Sequence, residues 1–151
     1  MQKFLEFSAE VTAFTIFELQ GTGQEEAYLN AVVSVVGEDL LEQMLHKYQC
    51  LGANAAPLTR EELLRREIFG DEKLGPIARN IIKLWYVGIW YQLPREWSEA
   101  YGAREKDINF MVSASAYTEG LLWPAIGANP PGAKAPGYGS WAYPPQIPPI
   151  P

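Results

Sequence analysis

Apolar positions recur at three- and four-residue steps through five stretches of the chain, and they almost never alternate over a useful length. In the first stretch Phe4, Phe7, Val11 and Phe14 share one helical face, and Gly21-Thr22-Gly23 then breaks the chain. The second, roughly 24–50, carries Tyr28, Val32, Val35 or Val36, Leu40, Leu41, Met44 and Tyr48 at helical spacing. Gly37 weakens its centre by about 1 kcal/mol relative to Ala, which marks a place for a kink or break. The residues LGANAAP read as a loop. Thr59 and Glu62 then have the spacing of a capping box ahead of Leu63, Leu64, Ile68 and Phe69.

Gly75-Pro76 opens a fourth helix, with proline in the first turn, where its missing N–H costs little. Ile77, Ile81, Leu84, Trp85 and Val87 cover most of its circumference, so IARNIIKLWYVGIWYQ is expected to be the central helix of a bundle, ended by Pro94. A fifth helix is expected over about 106–122, with Ile108, Met111, Val112 and Ser115 on one face. The small residues Ser113, Ala114, Ser115 and Ala116 suit close packing there. The expected fold is all-α: a bundle of four or five helices over residues 1–122, followed by an extended Pro/Gly/aromatic-rich arm over 123–151.

Composition sharpens the picture of that arm. Nine of the 12 prolines fall between Pro124 and Pro151, a density that forbids helix and central strand. After Asp107 only Glu119 and Lys134 are charged, and Trp123, Tyr138, Trp141, Tyr143, Ile126, Ile147 and Ile150 lie among the prolines. A solvated tail rarely carries so many large apolar groups, so the arm is expected to be ordered against a surface, its own helices or another chain. Five Trp and six Tyr lie between Trp85 and Tyr143. Some of Trp85, Tyr86, Trp90, Tyr91 and Trp97 are expected in the core. The remainder are the residue types enriched at the buried centres of protein interfaces.

Charge and candidate chemistry remove several classes of function. The 151 residues carry a net charge of −6, with 11 acidic and 5 basic side chains in residues 1–69, which argues against nucleic acid and anionic membranes as partners. The opening MQKFLEFSAEVTAF is amphipathic and lacks the apolar core of a secretory signal. No uncharged apolar run is long enough to span a bilayer. Arg65-Arg66 sits mid-chain with no apolar region after it. Cys50 is the single cysteine and His46 the single histidine, four residues apart on one helix, so a contact between them is geometrically open but no metal or catalytic spacing surrounds it. The pairs Glu25-Glu26, Glu38-Asp39 and Glu61-Glu62 read as solvated charges favourable to helix N-termini. The glycines of GTGQ and GYGSW lack the strand-to-helix setting of a phosphate loop. No catalytic, cofactor-binding or metal residue is assigned to this chain.

Two stretches, IKLWYVG at 82–88 and WP at 123–124 followed by PPGAKAPGYGSW at 130–141, resemble the sorbitol dehydrogenase small-subunit family. FLEFSAEVTAF resembles that family's first helix more weakly. These are the "hitch-hiker" subunits of bacterial flavin-dependent sugar and polyol dehydrogenases. The resemblance implies a non-catalytic partner of a large FAD-containing subunit of the glucose–methanol–choline type, in complexes that often pass electrons to a cytochrome c subunit. It implies a role in maturing, stabilising or escorting that subunit. Trp123, Pro131, Lys134, Pro136, Tyr138 and Trp141 match the terminal motif and are the expected partner contacts. Trp85, Tyr86 and Gly88 match the central-helix motif and are expected to hold the fold. The family commonly begins with a twin-arginine signal, which these residues do not show. The expected location is therefore periplasmic, with the complex at the inner membrane, where such a signal has been removed, and cytoplasmic otherwise. The alternative reading is a helical adaptor or chaperone whose PPQIPPIP tail is bound by a polyproline-reading partner.

Overall fold

The computed structural model describes residues 1–52, 58–130 and Pro144. Among them the chain is mostly helical, with one small sheet. Helices α1 (Gln2–Thr12), α2 (Ile16–Gly21), α3 (Glu25–Val36) and α4 (Glu38–Gln49) are followed by α5 (Arg60–Leu64), which runs into a π-helical turn at Arg65–Phe69. Then come α6 (Gly75–Val87), β1 (Ile89–Trp90), α7 (Arg95–Tyr101), β2 (Phe110–Met111) and the single turn α8 (Leu122–Ala125). The eight α-helices exceed the four or five expected, because several are short pieces set between the long ones.

Local chemistry accounts for most of the boundaries. Thr59 and Glu62 form the expected capping box, and Thr15 and Glu18 form a second one at the start of α2. Gly37, at φ 88°, separates α3 from α4 at the weak point of the long apolar stretch. Asp71 prepares the entry to α6: one carboxylate oxygen accepts the N–H groups of Lys73 and Leu74 at 2.9 Å each, and the other accepts from Lys47 of α4 at 2.9 Å. Burial raises the Asp71 pKa, but the Leu74 N–H, the Lys47 ammonium and the Lys73 N–H outweigh it and hold the carboxyl below its ordinary value.

The core gathers around Trp85 on α6. Its ring is fully buried against Phe4 of α1 (centroids 6.2 Å apart) and meets Tyr28 of α3 edge-on at 5.0 Å. Phe7 packs edge-on against Tyr48 of α4 at 5.2 Å. At the rim of that contact the Tyr48 hydroxyl donates to Glu10 Oε2 at 2.7 Å, while Arg60 clamps both Glu10 oxygens and stands over the Tyr48 ring. Burial, then the Glu10 bond, pushes the Tyr48 hydroxyl up to about 12. Burial of each large ring stabilises the fold by about 2–3 kcal/mol, so these four rings, with Phe4, are the main joint between α1, α3, α4 and α6.

Three expectations need correction. The fourth helix ends at Val87 and does not run on to Gln92, because Gly88 adopts the left-handed conformation (φ 71°) and closes it. The expected helix over 106–122 does not form; the segment holds β2 and a run of turns. Its side chains satisfy backbone groups elsewhere: Asp107 accepts the Leu93 N–H and the Trp90 indole, Asn109 accepts the Gln92 N–H, and the Ser113 hydroxyl accepts the Ala116 N–H. Ile108 and Met111 are exposed, so the 3.6-residue spacing there was not a core face. Finally, the start of the arm is not free of helix, since Leu122–Ala125 forms one turn with Pro124 tolerated inside it. Helix α7 was hidden behind Pro94, which stands at its N-cap and reads in the sequence only as the end of the helix before it.

Candidate functional site

A helix leaves its last carbonyls without partners in the following turn. At the end of α6 these are satisfied from far along the chain. The Gly88 N–H bonds to the Leu84 carbonyl at 2.8 Å, the Trp85 carbonyl accepts the Leu121 N–H at 3.0 Å, and the Gly88 carbonyl accepts the Val112 N–H at 3.0 Å. The approach is close. A Cβ placed on Gly88 would stand 2.5 Å from the Ala116 Cβ, and one on Gly120 would stand 2.6 Å from the Tyr86 carbonyl oxygen. The end of the 82–88 stretch is thereby joined by main-chain hydrogen bonds to Val112 and to Leu121, two residues before Trp123.

The entry itself is an aromatic ledge. The Trp123 indole N–H donates to the Tyr117 carbonyl at 2.7 Å, and the two rings meet edge-on with centroids 5.3 Å apart. Ala128 N–H returns to the Trp123 carbonyl at 2.9 Å. Tyr86, half-buried, donates its hydroxyl to the Thr12 carbonyl at 2.9 Å and takes the Phe14 ring edge-on at 6.0 Å. Burial raises the Tyr86 hydroxyl pKa, so it remains a donor across the neutral range. Tyr117 and Ile126 are exposed, and Phe17 on α2 is 85% exposed, the most open large apolar side chain among the described residues. Behind the ledge, Gln24 at the start of α3 accepts from Ser113 at 2.6 Å and donates to Ser115 at 3.0 Å, which pins the turn.

Of the expected partner contacts, Trp123 stands half-buried on this ledge. Pro131, Lys134, Pro136, Tyr138 and Trp141 lie outside the described residues. Trp85 is fully buried in the core, and Gly88 is the cap that meets Ala116. Tyr117, the ring partner of Trp123, was missed because it lay inside the expected fifth helix. Buried Asp107 was missed for the same reason; it directly follows Arg104, Glu105 and Lys106, so its sequence neighbours give it the look of an exposed charge.

Elsewhere the chemistry is sparse. Cys50 Sγ lies 3.9 Å from His46 Nδ1 and 4.0 Å from Nε2 on the exposed end of α4. Among the described residues no group of three His, Cys, Asp or Glu side chains is placed to hold a metal ion, and no helix is long and apolar enough to cross a membrane. An open groove of about 470 Å³ lies between Glu38 and Asp39 at the start of α4 and the cations Lys73 and Arg104. Compared with protein-family models, with curated proteins and with solved structures, the chain gives no match in any of the three.

Proposed function

We propose that this chain is a non-catalytic accessory subunit of a large FAD-containing dehydrogenase of the glucose–methanol–choline type that oxidises sugars or polyols. The observation that carries the reading is the pairing of LWYVG with PPGAKAPGYGSW in one chain, in the order and positions of the sorbitol dehydrogenase small-subunit family. The flavin and the alcohol oxidation belong to the large subunit. This chain supplies contacts that stabilise, mature or escort it, through residues 123–151, whose partner-binding residues are Trp123, Pro131, Lys134, Pro136, Tyr138 and Trp141. Electrons leave the complex through a cytochrome c subunit where one is present. The complex works in the periplasm at the inner membrane where the subunit is exported and in the cytoplasm where it is not. The ledge at Tyr117 and Trp123 supports the reading because aromatic groups that are rigidly held but partly exposed are the usual anchors of interfaces.

Co-expression with a large flavoprotein of the glucose–methanol–choline type from the same genome tests this. The expected result is a stoichiometric complex that survives affinity purification, and Trp123→Ala is expected to weaken it by roughly 30-fold, the loss of one anchor of about 2 kcal/mol. Trp123→Phe keeps the edge-on contact with Tyr117 and separates loss of an anchor from loss of local structure. A monodisperse chain with no affinity for the flavoprotein would sink the proposal. Deletion of residues 144–151 tests the adaptor reading, which requires binding to fail when PPQIPPIP is removed.

A further inference from the structure

We infer that α5 is a flap that opens from its N-terminal end independently of the core, and that Arg60 is the latch that holds it shut. The latch is a property of this chain alone and does not rest on the flavoprotein reading.

The segment from Thr59 to Glu67 satisfies most of its own polar groups. Thr59 and Glu62 close the capping box, Glu61 pairs with Arg65 at 2.8 Å, and Arg66 pairs with Glu67 at 2.8 Å. Among the described residues its polar ties to other elements are those of Arg60 and a looser Lys47–Glu67 pair at 3.9 Å. Lifting α5 away therefore strands no buried polar group and is resisted only by Arg60 and by the burial of Leu63 and Leu64. A helix of five residues does not hold itself together in water, so release also frays it.

The two ends of the segment are fastened differently. At the far end Ile68 is fully buried, Arg79 donates to the Phe69 carbonyl at 2.8 Å, and Lys47 binds Asp71 at 2.9 Å. At the near end the polar fastening is one side chain. Arg60 Nε reaches the two Glu10 oxygens at 2.9 and 3.1 Å, and Nη2 donates to Oε2 at 3.0 Å. Its Nη1 donates to the Leu51 carbonyl at 3.1 Å, and the guanidinium stands 4.9 Å from the centre of the Tyr48 ring. Helices α1, α4 and α5 thus meet in a single group. Both charges are partly exposed, so dissolved ions reach them and weaken the grip. Opening begins at Arg60 and stops at the π-helical turn, and it bares Leu63, Leu64 and the face of Tyr48 that Arg60 covers.

The test is native-state hydrogen exchange of the full chain, read by mass spectrometry on peptides from α5 and from α6. Arg60→Met is expected to speed exchange in the α5 peptide roughly ten-fold, the worth of a two-oxygen grip joined to a cation–π contact, and to leave α6 around Trp85 unchanged. Glu10→Gln should speed the same peptide, and combining it with Arg60→Met should add nothing further, because both remove one interaction. Raising the ionic strength to about 0.5 M should speed exchange of α5 in the unsubstituted chain and leave it unchanged in Arg60→Met. This arm needs no substitution, so it holds even where a variant folds poorly. If α5 and α6 speed up together, α5 opens only with the whole domain and the flap is refuted. If α5 exchange is the same with and without Arg60, the latch is refuted. Binding to the flavoprotein is read separately, by co-purification, so either reading can fail without the other.

Discussion

Replacing Gly88 by Ala tests how closely the end of α6 meets the turn at Ala116 that leads to the arm. Two costs combine at this position. The left-handed conformation at φ 71° disfavours any side chain by about 1 kcal/mol. The new methyl would also stand 2.5 Å from the Ala116 Cβ and 2.9 Å from the Ala116 carbonyl oxygen, and overpacking of that kind costs about 1–3 kcal/mol. The expected total is about 2–4 kcal/mol. Two companion variants separate the contributions. Gly23 has a similar φ of 64° with nothing within 4 Å of a Cβ, so Gly23→Ala is expected to cost only the backbone part. Gly120 has no positive φ, but a Cβ on it would stand 2.6 Å from the Tyr86 carbonyl oxygen, so Gly120→Ala is expected to cost only the packing part. Urea unfolding of the full chain, followed by tryptophan fluorescence and circular dichroism, gives the midpoints, and the slopes should remain constant across the three. Hydrogen exchange should show Gly88→Ala loosening the amides of Val112 and Leu121 first. If Gly88→Ala costs no more than Gly23→Ala, the close approach to Ala116 is wrong, and with it the joint at the base of the arm.

Asp107→Ala is expected to cost about 2–4 kcal/mol, because it strands the buried Trp90 indole and the Leu93 N–H; Asp107→Asn should retain part of that, and thermal melting distinguishes them. Ser8 should behave in the opposite sense: its hydroxyl is buried with no partner among the described residues, so Ser8→Ala is expected to be neutral or up to about 1 kcal/mol stabilising, and a clear loss in the same melts would count against that burial. Acid should destabilise the fold through Asp71, Glu18 and Glu62, whose pKa values lie below their ordinary range through hydrogen bonds to the folded backbone and side chains. A depressed carboxyl contributes its stability above the unfolded value of about 4 and loses it as pH falls through the folded value. The urea midpoint should therefore be flat from neutral to about pH 5 and fall below about pH 4, less steeply in Asp71→Asn; parallel profiles would refute that role for Asp71.

What was legible in the sequence was local. Thr59 and Glu62, three residues apart, announce a helix start because both halves of the capping box lie within one turn, and Thr15 with Glu18 offered the same signal, though it passed unnoticed. Gly37 and the apolar face around Trp85 were likewise readable from neighbours alone. Residues 102–121 were not, because their conformation is set by groups distant along the chain. Asp107 answers to Trp90 and Leu93, and Ser113 and Ser115 answer to Gln24, some ninety residues earlier. The helical spacing of Ile108, Met111 and Val112 was a coincidence that only those contacts expose. Trp123 stood out as a candidate by residue type, whereas Tyr117 acquires its role only once the helix around it is gone.

The main-chain bonds from Leu121 and Val112 to the end of α6 also have a mechanical consequence. Tension applied beyond Pro130 passes through the turn at Leu122–Ala125 to the Leu121 amide, and from there to the carbonyl of Trp85, the side chain at the centre of the core. Side-chain substitutions on the surface cannot cut that line, since it is made of backbone. Pulling the segment away would uncap α6 and open the packing around Trp85 in the same movement. Displacement of Leu121 and exposure of the last carbonyls of α6 are thus a single event.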